Sequence, residues 1–305
     1  MRLSKRKLAI LALITANIIW GASFPIYKWA LSDVPPFTFV FLRFFLGALA
    51  LLPFTYKNLK IAMEDIDKLI LYSIFGITLA ISFLFWGLKL APSINAPVIF
   101  SSGPILLIIF AIFFLRENAK KKVITGTCIS LLGILIIVIR PILENGFDIA
   151  VLGNLFFISS CIADIASIVI LEKLMKRYSA LTIVFWSFLI GCAPLSPLVL
   201  LEARQHNFLS TLNQQGLTGI LYGFLVASSI AHALFAYGAK YIKTSEIGIF
   251  AYVDPIATAL VAIPLLGESI TFYYLLGAVF VFVGIFIAER RIHYHPIHLL
   301  SKEDN

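Results

Sequence analysis

Long apolar runs separated by short polar, mostly basic segments fill the chain from end to end. The runs lie at residues 8–31, 37–56, 69–88, 94–115, 123–139, 149–171, 180–201, 216–239, 247–266 and 270–288. At 1.5 Å per residue, about 20 residues cross the hydrocarbon layer of a bilayer as an α-helix. Lipid offers no partner to free backbone groups, so helices are the structure this pattern permits. The expectation is an all-α polytopic membrane protein with ten transmembrane helices.

Composition agrees. Of 305 residues, 60% are apolar and 13% charged, more apolar surface than a water-soluble fold can cover. No segment between the runs is long enough for a separate soluble domain. The net charge of +8 does not point to nucleic acid, because the basic residues sit between the apolar runs and form no single patch. With the N-terminus in the cytoplasm, 19 of the 24 Lys and Arg fall on cytoplasmic segments, which predicts a cell (inner) membrane protein with both termini inside. The other five are Lys28, Arg43, Lys89, Arg140 and Arg204. The opening MRLSKRK with its apolar run reads as a retained first span, since the run continues through Trp20, Pro25 and Trp29 without a small-residue cleavage pattern. Cys128, Cys161 and Cys192 lie inside apolar runs and read as packing residues. His293, His295 and His298 crowd the C-terminal tail, which reads as an interfacial and then disordered end, with metal binding the alternative.

Residues 86–136 and 237–287 align at a constant offset of 151 without a gap. Gly87 falls on Gly238, Lys89 on Lys240, Pro104 on Pro255, Glu117 on Glu268, Gly126 on Gly277 and Gly133 on Gly284. Coincident prolines, glutamates and glycines mark an internal repeat. Runs one and six show no convincing alignment. Five runs per half is an odd number, so the second half enters the membrane from the opposite side. The expected architecture is two inverted five-helix repeats, residues 1–145 and 146–291, with a cytoplasmic tail at 292–305. Such halves can open a shared cavity first to one face, then to the other.

The first two runs contain IIWGASFPIYKWAL and VPPFTFVFLRFFLGALALLP. Trp20, Gly21, Ser23, Phe24, Pro25, Lys28, Pro36, Arg43 and Pro53 in this stretch resemble the opening of the EamA-type families of the drug/metabolite transporter superfamily. Leu266, Gly267, Glu268 and Thr271, ahead of a glycine-spaced helix, are similar to a second signature of those families. The first copy of that signature departs, with Arg116 in place of glycine and Lys120 in place of threonine. The resemblance implies ten helices in two inverted repeats and secondary transport of small metabolites: amino acids, purines or drugs.

An ionisable group at a helix centre in lipid costs roughly 2.5–3.5 kcal/mol or more, so each such group needs a partner, water or a role. Asp164, His232 and Asp254 each lie about 12–14 Å from the cytoplasmic ends of their runs, one layer near mid-membrane. They are candidates to line a polar cavity that binds a substrate amine or a proton; the alternative is separate satisfaction by neighbouring helices. Pro255 follows Asp254 and Pro104 occupies the matching place, so both are read as mid-helix kinks and candidate hinges. Gly103 stands where Asp254 does, so the charge is not repeated. Arg43 is read as mainly structural, with an anionic-substrate contact as the alternative. Lys28 can snorkel from an outer end. Trp20, Trp86, Tyr237 and Tyr252 suit an apolar or cationic solute or ordinary packing. Asn95 could face the cavity or bond a neighbouring helix. Glu117 and Glu268 are read as structural caps at helix ends. Gly126, Gly133, Gly277 and Gly284 allow close approach, between the halves or in a homodimer.

The function expected is secondary transport of small organic metabolites such as amino acids by alternating access, as an exporter; drug or cation efflux and metabolite uptake are variants. The partners expected are a small-molecule solute and the bilayer, with protons as a candidate coupling ion, and the protein is read as a monomer or homodimer. No cofactor or metal is expected. There is no G-x-x-x-x-G-K-[ST] loop for ATP-driven pumping. An intramembrane enzyme finds no H-E-x-x-H or G-x-S-x-G, so the chain is not read as an enzyme. A receptor or scaffold needs no inverted core.

Overall fold

The computed structural model describes residues 4–103, 105–106, 121–145, 148–205, 210, 212–242 and 247–289. All regular structure among them is helical. We label α1 Lys5–Ala30, α2 Pro36–Thr55, α3 Met63–Leu90, α4 Asn95–Ser101, α5 Lys121–Asn145, α6 Ala150–Met175, α7 Ala180–Gln205, α8 Gln214–Tyr241, α9 Asp254–Leu266 and α10 Phe272–Glu289. Among the described residues, eight helical stretches are long and apolar enough to cross a membrane, and Phe272–Ala288 is a shorter apolar one. Leu, Ile and Phe side chains cover much of the exterior, as a lipid-facing surface requires.

Local sequence starts these helices. Ser4, Ser179 and Asn213 cap α1, α7 and α8 by accepting from the backbone of Lys7, Thr182 and Gln215. Pro36 opens α2, where a missing N–H costs nothing. Among the described residues, α3 widens to a π-helix at Ile74–Leu79 and α8 at Tyr222–Ile230, and α7 tightens to a 3₁₀ turn at Ala193–Leu195. One expectation needs correction. Pro255 does not interrupt a continuous α-helix. A 3₁₀ segment, Gly248–Val253, runs up to Asp254, and Pro255 sits in the first turn of α9, where proline is tolerated. Pro104 lies outside the described residues.

Packing runs mostly between the halves. α1 packs on α8 and α9, α2 on α7 and α8, α3 on α6 and α7, α4 on α6, α9 and α10, and α5 on α10. The main core gathers fully buried Tyr27, Phe39, Phe44, Phe85, Phe157 and Phe188. At the α5–α10 crossing the helices touch backbone to backbone. A Cβ on Gly126 would lie 2.5 Å from the Gly284 carbonyl oxygen, and one on Gly133 would lie 2.5 Å from that of Gly277. The two helices therefore run antiparallel, and the glycines pair 126 with 284 and 133 with 277.

Other contacts recur in the same exchanged way. Gly87 of α3 abuts Phe157 and Gly153 of α6, while Gly238 of α8 abuts Leu13 and Ala9 of α1. Gly47 of α2 abuts Ser228, and Gly191 of α7 abuts Ile77. Ser23 bonds the carbonyl of Trp20, and Ser167 that of Asp164. These pairs place residues of α1 and α2 against residues of α6 and α7 at an offset of 144, not 151. Read at that offset, Thr38, Phe41, Phe44, Gly47 and Pro53 fall on Thr182, Phe185, Phe188, Gly191 and Pro197.

The crossing makes a direct prediction. Gly284→Ala should lower thermal stability in detergent by about 1–3 kcal/mol, the usual cost of overpacking. Gly103→Ala should be near neutral, because among the described residues outside its own stretch of helix the nearest atom to its Cβ, the Cys161 sulfur, is 4.0 Å away. Equal melting temperatures for the two variants would contradict the crossing.

Candidate functional site

A polar and aromatic cluster lies where α1, α2, α8 and α9 meet. Trp20 of α1 donates through Nε1 to the Ala227 carbonyl at 3.0 Å, within the π segment of α8. The same carbonyl lies 3.2 Å from His232 Nδ1, which must carry the proton to donate there. The His232 ring meets the rings of Trp20 and Phe188 edge-on, at centroid distances of 5.2 and 5.5 Å. A π-helix shifts its carbonyls off the regular ladder, so Ala227 can serve side chains from α1 and α8 together.

Asp254 approaches the cluster from the other side. Its backbone packs on Gly21, the residue after Trp20, closely enough that a Cβ on Gly21 would lie 2.6 Å from the Asp254 carbonyl oxygen. Thr258 fastens this contact by donating to the carbonyls of Gly21 (2.7 Å) and Asp254 (2.8 Å). The Asp254 Oδ1 atom is buried without a hydrogen-bond partner among the described residues. Arg43 of α2 is 5% exposed. Its guanidinium carbon sits 4.7 Å from the ring centres of both Tyr27 and Phe44, and its Nε donates to Ser228 Oγ at 2.9 Å.

Other candidates fall elsewhere. Asp164, partly exposed on α6, lies within electrostatic reach of Tyr72 and Cys161. Trp86 packs edge-on against Phe37, with the Lys89 ammonium over its ring. Tyr237 is 38% exposed and pairs with Tyr241. Tyr252 meets Phe282 at 5.8 Å. Asn95 is buried and donates to Asn154 Oδ1 at 2.9 Å, a bond between α4 and α6. Glu117 and the tail histidines lie outside the described residues. Among the described residues no three His, Cys, Asp or Glu gather as a metal site.

Charged residues tie the ends of the bundle. At one end Gly267 takes a left-handed conformation (φ 65°) that closes α9 and aims Glu268 across the bundle. The Glu268 side chain, 9% exposed, accepts from the backbone of Ser93 (2.7 Å) and Ile94 (3.0 Å) and from the Ser93 hydroxyl (3.0 Å). It thus caps the approach to α4, not the helix that follows it in sequence. Lys28 does not reach outward: its Nζ lies 3.1 Å from Glu268 and donates to the Ala91 carbonyl at 2.6 Å. Glu202 of α7 likewise caps α2 through Phe37 and Thr38.

At the opposite end Asp65, ahead of the apolar run that begins at Leu69, accepts from Lys68 (2.7 Å), Arg177 (2.7 Å) and Tyr178 (2.8 Å). Its side chain is 3% exposed, covered by these partners and not by a dense shell of protein. The hydrogen bond from Lys68, then that from Tyr178, holds its carboxyl below the usual carboxylate range. Sequence reasoning passed over Asp65 and Glu202 because both lie in polar segments, where a carboxylate carries no signal by itself.

The profile of the EamA-like transporter family matches residues 7–139 and again residues 151–289. An uncharacterized transporter of Archaeoglobus fulgidus is 22% identical over 286 residues, 93% of this chain and 98% of that one. A probable amino-acid metabolite efflux pump of Salmonella typhimurium is 25% identical over 292 residues, 92% of this chain and 94% of that one. A solved crystal structure superposes with a TM-score of 0.62 at 17% identity, over 96% of this chain and 99% of that one, a likeness of fold alone.

Asp65 sets a pH dependence. A depressed carboxylate contributes stability that is present above its unfolded pKa, about 3.9, and is lost as pH falls through the lower folded value. Asp65→Asn should therefore lower the melting temperature by a few degrees at pH 7. The gap should close as the pH is taken below about 4. A gap that is unchanged across this range would contradict the assignment.

Proposed function

The chain belongs to the EamA-like transporter family, and from that premise we propose that it exports small organic metabolites, amino acids among them, by alternating access as a secondary transporter. Family membership brings a small-molecule solute and a multi-pass place in a membrane. The printed function of the Salmonella relative motivates amino acids as the first class to test.

The observation that carries the mechanism is the exchanged set of contacts between the halves. Gly126 with Gly284 and Gly133 with Gly277, Gly87 with α6 and Gly238 with α1, are the pairs that a two-fold axis produces. The double match of the family profile supports the same division. We read residues 1–145 and 146–291 as two inverted five-helix units, ten helices in all, with 292–305 a cytoplasmic tail and both termini on the cytoplasmic side of the inner membrane. The paired π segments of α3 and α8 are the flexible elements of this reading, since they fall on matching positions: the one in α8 carries Ala227 and Ser228 of the cluster, and the one in α3 packs on α6 and α7.

Asp254 is the group we assign to the solute amine, or to a proton in its place. A buried carboxylate oxygen with no hydrogen-bond partner among the described residues, on a residue whose backbone packs against Gly21 next to Trp20, is costly without such a counterpart. Trp20 and His232 form the adjoining wall, and Pro255 marks the joint where 3₁₀ geometry gives way to α9. Asp164, Trp86, Tyr237, Tyr252 and Asn95 remain proposed solute contacts of lower rank, reached only in another state of the cycle. No catalytic reaction is assigned.

Asp254→Asn should leave membrane insertion intact while lowering amino-acid counterflow in proteoliposomes at least tenfold; full counterflow would remove Asp254 from the site. Reporter fusions within residues 140–148 should read as external, and a cytoplasmic signal there would reverse the orientation.

A further inference from the structure

We propose that the guanidinium of Arg43, held between Tyr27 and Phe44 beside Ser228, binds a carboxylate of the transported solute, which is therefore a zwitterion whose amine faces Asp254. The inference rests on the transport reading above and names the chemistry of its substrate.

Three observations carry it. The first is an unbalanced charge. Arginine stays protonated in proteins, and Arg43 is 5% exposed. Among the described residues no carboxylate pairs with it, and its one hydrogen bond goes from Nε to the neutral Ser228 hydroxyl. The four N–H bonds on its two Nη atoms have no protein acceptor among those residues. A buried cation left in this way is strongly disfavoured until an anion joins it.

The second observation is that the fold does not require the charge. At the offsets shown by the glycine contacts, Arg43 corresponds to Ser187, Tyr27 to Leu171, Ser228 to Ile77 and His232 to Ile81. The corresponding region packs with Leu and Ile where this one has Tyr, Ser and His. The same helix crossings are thus built once around Arg43, Tyr27, Ser228 and His232 and once around Ser187, Leu171, Ile77 and Ile81, with the carboxylate Asp164 at the place of Trp20 and no cation at the place of Arg43. A structural need for a cation would be expected in both.

The third is geometry. Two aromatic faces, each 4.7 Å from the guanidinium carbon, fix the plane of Arg43 and leave its Nη edge as the free donor surface. A planar carboxylate matches two parallel N–H donors in that plane, which a lysine ammonium could not offer. The buried Tyr27 hydroxyl adds a donor: Ser23 is nearby, but it makes no hydrogen bond within standard geometry. Trp20 and Tyr27 are seven residues apart on one face of α1, so the wall that begins at Asp254 and Trp20 continues to Arg43.

The test uses the full-length protein purified in detergent, with each common amino acid and γ-aminobutyrate compared against its own carboxamide. Labelling of Arg43 by phenylglyoxal, followed on the Arg43 peptide by mass spectrometry, reports on the unmutated protein. At least one amino acid should slow labelling fivefold or more and raise the melting temperature, and its carboxamide should do neither. Arg43→Gln, checked for folding by size exclusion, should lose the thermal response. Arg43→Lys should weaken it about tenfold in concentration. Equal protection by a carboxamide, a retained response in Arg43→Gln, or no protection by any carboxylate would overturn the proposal. Counterflow in proteoliposomes separates the two readings. Exchange of amines that lack a carboxylate, with Arg43 unprotected by acids, leaves transport standing and removes this inference. Protection of Arg43 without counterflow of any solute does the reverse.

Discussion

The α5–α10 crossing is the contact on which the rest of the structure depends. Glycines at 126, 133, 277 and 284 bring two backbones so close that no side chain fits between them. In lipid, where apolar burial gives little drive for helices to associate, close packing of this kind supplies the attraction. It also limits movement. Sliding either helix by one turn would put Ser130, Val281 or Ala288 where a glycine now stands against the opposing backbone. Any relative motion of the halves would therefore be taken up by the other helices, and the π segments of α3 and α8 place irregular backbone among them.

The bundle ends are joined differently, by carboxylates that serve backbone donors or cations of the other half. Glu202 and Glu268 each cap a helix of the first half at one end, and Asp65 receives donors from the α6–α7 connection at the other. Hydrogen bonds to charged groups contribute roughly 1.5–3 kcal/mol each when well sheltered. They can also be exchanged for water at the membrane surface, which backbone contacts in lipid cannot. The division is physically sensible: permanent contacts where there is no water, reversible ones where there is.

Much of this was legible in the sequence, and the failures have identifiable causes. Apolar runs gave the helices because lipid leaves the backbone no other choice. The repeat was legible from residue 86 onward but not earlier, because 31 positions separate Pro197 from Ser228 and only 24 separate Pro53 from Ile77. The seven additional residues lie in and around the α7–α8 connection and break the offset. Allowing one insertion would have brought Gly47 onto Gly191 and Pro53 onto Pro197. The role of Glu268 could be read only as a cap, since its acceptor geometry joins residues 175 apart. Pro255 was misplaced because apolar periodicity does not distinguish a 3₁₀ segment from an α-helix. Arg43 was noticed, but its lack of a carboxylate partner among the described residues is a fact of three dimensions.

The polar groups divide unevenly between halves that otherwise correspond. The first half contributes the buried cation, Arg43; the second contributes both intramembrane carboxylates, Asp164 and Asp254. Asp164 corresponds to Trp20 at the offset of 144, so even the position that anchors the Ala227 carbonyl in one half carries a charge in the other. On the proposed transport reading, a cavity between such halves would have a direction. A solute with a single charge would neutralise one side and leave the other exposed to the low-dielectric interior. A zwitterion can satisfy both sides and add no net charge to the loaded protein. Moving a loaded site past the hydrocarbon layer is least costly when its charges cancel locally. On the proposed reading, an uneven distribution of charge on a nearly symmetric scaffold would let the symmetric part supply the movement and the uneven part supply the selectivity.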